Sequence, residues 1–272
     1  MNKTNITALT SSIEQPRIVK RIISLAAEYD QVNVICFKKS AYDVSNSEKL
    51  KKQNNIKIVE VGIVKNRSYL KRVFKYIYIL KYIAKFKKTS IFYAFSLDMA
   101  FMALIHKAVI LRYEISDIIW LYRKGLLRKI LRKIEKKIIK KAQKVVFTSE
   151  GFLNYYDYLR NNKIVIKENK FKSFGVVHPI EELRKDKISI AYIGALRYHI
   201  ILSNLIEIVS DDDQFELNIF GVFNNNEIAN VINNKIDSAN NISFHGPFKN
   251  PNDLEEIYRM SNLNFVVYDN KK

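Results

Sequence analysis

Two aspartates stand just past short apolar runs: Asp98 follows Ile91–Phe95 and Asp117 follows Val109–Tyr113. If those runs are strands of an open α/β sheet, both carboxylates lie at C-terminal strand ends, where such sheets bind their ligands. A carboxylate there can take the proton of an attacking hydroxyl. Asp98 also opens a helical run, so capping a helix N-terminus is a competing use for it. Glu114, nearer its strand, reads as structural. Further along, Gly194 ends an apolar run just before a helical stretch. A glycine so placed lets backbone N–H groups approach a phosphate, and Arg197 could add a charge-assisted contact. The same pair also suits a tight turn and a solvated surface charge. His106, His178, His199 and His245 show no ligand spacing, so no metal site is expected. Gly194 lacks the partner glycines of a dinucleotide fingerprint, and a GxxxxGK loop is absent. Cys36, within Val32–Phe37, reads as a small buried hydrophobe.

A second group of residues carries charge rather than reactivity. Tyr69–Lys87 puts Leu70, Val73, Phe74, Ile77, Leu80 and Ala84 at helical spacing, with Lys71, Arg72, Lys75, Lys81, Lys85 and Lys87 around them, interleaved with Tyr76, Tyr78 and Tyr82. Leu126–Lys144 repeats the theme. Leu127, Ile130, Leu131, Ile134 and Ile138 form its stripe; Arg128, Lys129, Arg132, Lys133, Lys136, Lys137, Lys140 and Lys141 form its other face, with Glu135 as the one acid. A stripe facing a sheet explains the apolar residues, but a merely solvated face would mix signs for i, i+4 pairing. Charge of one sign points to a polyanion. An anionic leaflet attracts each basic residue by up to about 1 kcal/mol, and tyrosines suit the headgroup zone. Nucleic acid is the lesser alternative, because no helix-turn-helix, zinc-finger or RNP-type motif accompanies the charge. Lys71, Arg72, Lys75, Arg128, Lys129, Arg132 and Lys133 are the residues expected to touch the membrane.

The elements that must position these groups follow from alternation. Apolar runs at Ile6–Leu9, Val32–Phe37, Ile56–Val61, Ile91–Phe95, Val109–Tyr113 and Val145–Thr148 read as strands of a buried parallel sheet. Helical stretches at Pro16–Glu28, Tyr69–Lys87, Asp98–His106, Leu126–Ala142 and Gly151–Arg160 come between or after them, as in a doubly wound α/β domain. Lys167–Lys187, with Gly175 and Pro179, reads as a linker. The pattern then restarts with strands Ile188–Ile193, Leu217–Phe220, Ile242–His245 and Leu263–Tyr268, and helices Ile200–Val209, Asn226–Ile236 and Asp253–Met260 between them. Two domains are expected, 1–170 and 171–272. The second holds four strands where a complete pair of Rossmann halves has about six.

Charge divides the same way. The chain of 272 residues carries +19 overall, with 36 Lys and Arg against 13 Asp and Glu in residues 1–170, and 10 against 14 in residues 171–272. The basic part is expected to face a membrane, nucleic acid or an anionic substrate. An apolar content of 48% with 7 Gly and 4 Pro suits a globular core and argues against disordered low-complexity tracts. A single cysteine excludes a disulfide framework. There is no signal-peptide pattern, and the most apolar window, Met99–Leu111, is broken by His106 and Lys107 short of the about 20 residues a span needs. A cytoplasmic protein, peripheral on the inner face of the cell membrane, is expected.

Several segments resemble, in order and spacing, the family-4-like GT-B glycosyltransferases (glycosyl transferases group 1). Gln15-Pro16-Arg17-Ile18-Val19-Lys20-Arg21-Ile22 resembles their opening helix after the first strand. Arg112-Tyr113-Glu114-Ile115-Ser116-Asp117 resembles a Tyr-Glu-Ile-x-Asp segment, and Ala142–Phe152 is similar to a later one, with Gln143 where an acid is usual. Ile190–Arg197, Leu217–Gly221, Ile242–Phe248 and Asp253–Tyr258 resemble the donor-domain strands, loops and helix. The resemblance implies two Rossmann-like doubly wound domains, the first facing acceptor and membrane, the second binding a nucleotide-sugar. It places Gly194, Arg197, Gly246 and Phe248 at the donor, with Gly246-Pro247-Phe248 covering the nucleobase; Asp98 and Asp117, by their position at strand ends, are the candidate catalytic residues on the acceptor side. The family's donor-binding pair of glutamates and its closing helix would follow Tyr268–Lys272, so the second domain is expected to be incomplete. The implied activity is a hexosyl transfer from a nucleotide-sugar co-substrate to a lipid-linked or saccharide acceptor, in bacterial surface polysaccharide, capsule or glycolipid synthesis, with no cofactor and no metal. An inactive truncated glycosyltransferase and a basic nucleic-acid-binding α/β protein remain alternatives.

Overall fold

Short runs dominated by Val, Ile and Phe, apolar on much of both faces, pair where both faces are covered. In the structure, a computed structural model that describes residues 5–39, 45–64, 69–169, 187–196, 198–223, 226–249 and 253–266, these runs form two parallel sheets. The chain divides into two compact units, Met1–Phe171 and Lys172–Lys272.

In the first unit the strands are β1 (Asn5–Leu9), β2 (Val32–Lys39), β3 (Ile56–Val64), β4 (Ser90–Ala94), β5 (Ile110–Ile115), β6 (Lys144–Phe147) and β7 (Ile164–Ile166), and the helices are α1 (Pro16–Glu28), α2 (Ser45–Lys51), α3 (Tyr69–Phe86), α4 (Leu97–Ile105) and α5 (Gly125–Lys141). The sheet order is β3-β2-β1-β4-β5-β6-β7, parallel throughout. Leu25 and Ile22 of α1 and Leu50 of α2 pack with Ile6, Val34 and Cys36 on one face; Ile83 of α3, Met99 of α4 and Ile138 of α5 pack with Leu9, Phe92 and Val145 on the other. Helices on both faces make the unit doubly wound. The strand β7 and the helix α2 have no counterpart in the sequence expectation: β7 is three residues long and α2 polar, so neither carries a period. The helix expected at Gly151–Arg160 is instead a 3-10 turn, Glu150–Tyr155.

Among the described side chains the buried face of α3 is rotated from the expected phase, while the expected stripe of α5 is buried only in its later part; the side chains of Leu70, Val73 and Phe74 of the α3 stripe lie outside the described residues. In α3 the buried residues are Ile79 and Ile83, flanked by half-buried Tyr76, Leu80 and Phe86, whereas Ile77 and Ala84 of the expected stripe are exposed. A polar anchor explains the choice, because the Tyr76 hydroxyl donates to Asp98 at 2.5 Å. In α5 Ile138 and Ile139 are buried and Leu131 and Ile134 half-buried, but Leu127 and Ile130 of the expected stripe are exposed. Glu135, expected on the charged face, is buried in the core. It is held there by the Tyr113 hydroxyl at 2.8 Å, the Trp120 indole N–H at 2.6 Å and the Tyr156 hydroxyl at 2.7 Å.

The second unit holds β8 (Ile188–Leu196), α6 (His199–Ser210), β9 (Phe215–Phe223), α7 (Asn226–Asp237), β10 (Ile242–Gly246), α8 (Leu254–Arg259) and β11 (Leu263–Phe265). Its sheet runs β10-β9-β8-β11, again parallel. Leu202, Ile206 and Val209 of α6 and Ile232 of α7 cover one face, and Ile257 of α8 packs with Ala191 and Phe220 on the other. The expected tip of β11 at Val267 and Tyr268 lies outside the described residues.

Candidate functional site

In the first sheet β1 connects to β2 on one side, whereas β4 and β5 extend the sheet on the other. The loops leaving β1 and β4 therefore part in opposite directions and leave a crevice at the carboxyl ends of the strands, the place where open α/β sheets take their ligands. A cleft stands there, lined by Thr10, Ser11 and Gln15 after β1, Arg17 of α1, Ser96 after β4, and Tyr113, Glu114, Ser116 and Asp117 at and beyond the end of β5. The loop after β1 is held by its own side chains. The Thr10 hydroxyl donates to the Ser12 carbonyl at 2.9 Å, and Ser12 donates to the Glu14 carboxylate. Pro16 then opens α1 at a position where its missing N–H costs nothing.

The floor of the cleft is an ion-pair cluster. Glu114, only 1% exposed, accepts from the Arg21 Nε at 3.0 Å and from the Tyr93 hydroxyl at 2.5 Å, and the Arg17 Nε lies 3.8 Å from its other oxygen. At that distance Arg17 is held electrostatically without a hydrogen bond, and both atoms are buried without a hydrogen-bond partner. Arg21 also donates to the Lys167 carbonyl at 3.2 Å, tying β7 to the cluster. Glu114 is thus structural as its position suggests, and what it positions is Arg17.

Asp117 lies beside this cluster in the cleft lining. Its side chain is open to solvent, yet partial desolvation by the cleft walls raises its pKa above the ordinary aspartate value, and the Arg17 guanidinium pulls it back in part. A raised pKa makes a carboxylate a better proton acceptor near neutrality. Asp98 is placed differently. It sits in the first turn of α4, accepting from the Ser96 hydroxyl, from the Met99 N–H at 3.0 Å and from Tyr76. Its contacts order a helix start and anchor α3, and it is not among the residues lining the cleft. The two aspartates, equivalent by strand position, are not brought together.

In the second unit Gly194, Gly221 and Gly246 fall at the carboxyl ends of the neighbouring strands β8, β9 and β10, all at positive φ (140°, 157° and 75°). Gly194 and Gly221 are register partners. A Cβ on Gly221 would lie 1.8 Å from the Gly194 carbonyl oxygen, so only glycine allows these backbones to approach. Beside them His245 stacks on Phe220 at 4.4 Å and its Nε2 bonds to the Asn218 side chain at 2.8 Å. Phe248 is half-buried against Ala191, Phe220 and Ile257. Arg197 and the side chains of Lys71 and Arg72 lie outside the described residues. Lys75 is half-buried, and Arg128, Lys129, Arg132 and Lys133 are exposed. Arg17, Ser11 and Gly221 were not singled out by sequence reasoning. Arg17 was visible only as half of a Pro-Arg pair, and Gly221 only as the last residue of a strand motif. Among the described residues, no His, Cys, Asp or Glu group is placed to hold a metal ion.

No protein-family model matches the chain, and no curated protein matches it. Solved structures do match, at low identity. The chain is similar to a glycosyltransferase from Rickettsia africae (16% identity, TM-score 0.61, covering 97% of this chain and 73% of that one). It is similar to the lipopolysaccharide outer core galactosyltransferase WaaB in its apo form (12%, TM-score 0.60, 96% and 73%). A UDP-GlcNAc 2-epimerase from Neisseria meningitidis bound to UDP-GlcNAc also matches (12%, TM-score 0.54, 96% and 76%). Along nearly its whole length the chain therefore has the GT-B fold of these enzymes, with two Rossmann-like units in one polypeptide.

Proposed function

We propose that the protein is a glycosyltransferase that moves a hexosyl group from a nucleotide-sugar to a lipid-linked or saccharide acceptor. One observation carries this reading. A chain with the GT-B fold has, at the switch point of its first sheet, a cleft in which the solvent-exposed Asp117 stands beside Arg17. Asp117 takes the acceptor hydroxyl proton and Arg17 holds an anionic group next to it. The glycine-lined strand ends of the second unit, Gly194 and Gly246 with Arg197 and Phe248, take the donor. Backbone N–H groups there approach the diphosphate, so no metal or cofactor is required. Asp98 serves the cleft of the first unit by ordering the start of α4, whose Leu97 lines it. The basic faces of α3 and α5, with Lys71, Arg72, Lys75, Arg128, Lys129, Arg132 and Lys133, hold the enzyme to the cytoplasmic leaflet, and the products belong to surface polysaccharide, capsule or glycolipid.

The test is the unfolding temperature of the chain against nucleotides and nucleotide-sugars. A ligand at 100 times its Kd stabilises the fold by about 2.7 kcal/mol. One nucleotide class should raise the transition, and Asp117→Asn should keep that shift while losing transfer to acceptor. No shift with any nucleotide would overturn the reading and favour an inactive form. The likeness to an epimerase supports a second reading, conversion of the nucleotide-sugar itself. A new sugar nucleotide formed without acceptor would mark it, and salt-sensitive retention on nucleic acid without any nucleotide effect would mark a nucleic-acid-binding protein.

A further inference from the structure

The first turns of α5 are open to solvent. From Tyr122 to Ile130 every residue is exposed. Within that run Tyr122 is 63% exposed, Leu126 73%, Leu127 50% and Ile130 45%. Large apolar side chains this open on consecutive turns are not the scattered surface hydrophobics every protein carries. Only from Leu131 onward does α5 meet the sheet. The exposed apolar residues are enclosed by cations: Arg123, Lys124, Arg128, Lys129, Arg132 and Lys133, with no acid anywhere between Ile118 and Ile134.

The ground beneath this tip is firm. Trp120, in the 3-10 turn Ile119–Tyr122, is 3% exposed and bonded to Glu135, and Arg128 and Arg132 lie over its ring at 5.5 and 5.1 Å. Tyr155 meets the same indole at 6.2 Å, and Tyr158 lies under Lys136 at 4.7 Å. Both tyrosines are exposed, so they flank the tip on its packed side. Leucines at the point, cations around them and tyrosines behind form the depth order of a bilayer interface: acyl chain, phosphate, headgroup.

We infer that the tip of α5, residues Tyr122–Ile130, inserts Leu126, Leu127 and Ile130 into the acyl boundary of an anionic bilayer, beyond the electrostatic attraction of its basic residues. This deepens the proposed function and rests on its membrane placement. It also gives that function a geometry. Asp117 and Tyr122 are five residues apart, which is at most about 18 Å of chain. An acceptor headgroup in the cleft therefore stays within reach of a tail in the bilayer under the tip. Charge complementarity selects the occupant, because an apolar patch ringed by six cations suits a leaflet of anionic lipid better than a protein surface of mixed sign.

The experiment is co-sedimentation of the full chain with phosphatidylglycerol–phosphatidylethanolamine vesicles at low and high salt. The emission of Trp120, the sole tryptophan, is followed with lipids brominated in the acyl chain. Leu126→Ser/Leu127→Ser is compared with Lys129→Gln/Lys133→Gln; all four side chains are exposed, and an unchanged unfolding temperature confirms that each variant folds. The wild-type chain should stay bound in part at high salt, with Trp120 quenched. The leucine variant should lose about tenfold or more in partitioning at both salts, and the charge variant chiefly at low salt. Leucine-variant binding equal to wild type overturns insertion. So does a wild-type chain that ignores vesicles but forms a dimer, or is retained on RNA, in a way that the leucine substitutions abolish. Vesicle binding does not involve the nucleotide, so a failure here leaves the nucleotide shift of the proposed function standing or falling by itself.

Discussion

Replacing Glu135 asks whether three buried donors or one buried carboxyl group dominates the core beneath α5. The Tyr113 and Tyr156 hydroxyls and the Trp120 indole N–H all end on this side chain, and the three aromatic residues are at most 3% exposed. Glu135→Leu leaves all three donors without an acceptor, at about 1–3 kcal/mol each. Against that loss stand the added apolar burial of about 2 kcal/mol and the relief of a desolvated carboxyl group. A net loss of about 3 kcal/mol is expected. Glu135→Gln behaves otherwise. Its amide oxygen can accept from Trp120 and Tyr156, its NH2 can face Tyr113, and the Tyr113 hydroxyl needs only to turn and accept, so the loss should be about 1 kcal/mol or less. Urea unfolding followed at Trp120 reports the first unit alone, which matters because two units need not unfold together. With a slope of about 2 kcal/mol per molar urea, the Leu midpoint should fall about 1 M below the Gln midpoint. A Leu variant that unfolds at or above the Gln variant would refute the reasoning, since the carboxyl group would then cost more than the donors it satisfies.

Gly221→Ala should remove the second unit while sparing the first. The new Cβ meets the Gly194 carbonyl oxygen at 1.8 Å, and β8 and β9 must separate, at about 3 kcal/mol or more. Loss of the slow amide exchange of Ile190, Ala191 and Leu217, with that of Val145 and Val146 retained, checks this. For Asp117 the sign runs against most carboxylates: its folded pKa is raised, so ionisation weakens the fold. Asp117→Asn should be the more stable at neutral pH, and its advantage should vanish as pH falls through the raised folded value and then the ordinary aspartate value. Unfolding temperatures of both proteins across that range test it, and an Asn variant less stable at neutral pH would contradict the partial desolvation of Asp117.

Much of the fold is legible in local pattern. Runs such as Val32–Phe37 and Val145–Phe147 are apolar on both faces, which makes them inner parallel strands whatever surrounds them. The short strand β7 and the polar helix α2 carry too little period to be seen. Within the site, Asp117 and Glu114 are visible as acids at a strand end, but their division of labour is not. Glu114 turns inward to two arginines from α1, 93 and 97 residues away in sequence, while Asp117 remains in the cleft.

What the sequence determined by itself is what short-range chemistry dictates: the alternation of strand and helix, the change of composition near residue 170, and the basic character of everything before it. Tertiary structure alone decided which apolar face of α3 is buried among its described side chains, that Glu135 belongs to the core, that the first turns of α5 are exposed, and that Asp98 orders a helix while Asp117 lines a cleft. The physical reason is the same each time. Periodicity fixes that a face exists, but a face is covered only where another element happens to end. A polar group is satisfied inside only when partners from distant segments, such as Tyr113, Trp120 and Tyr156 around Glu135, arrive at one point.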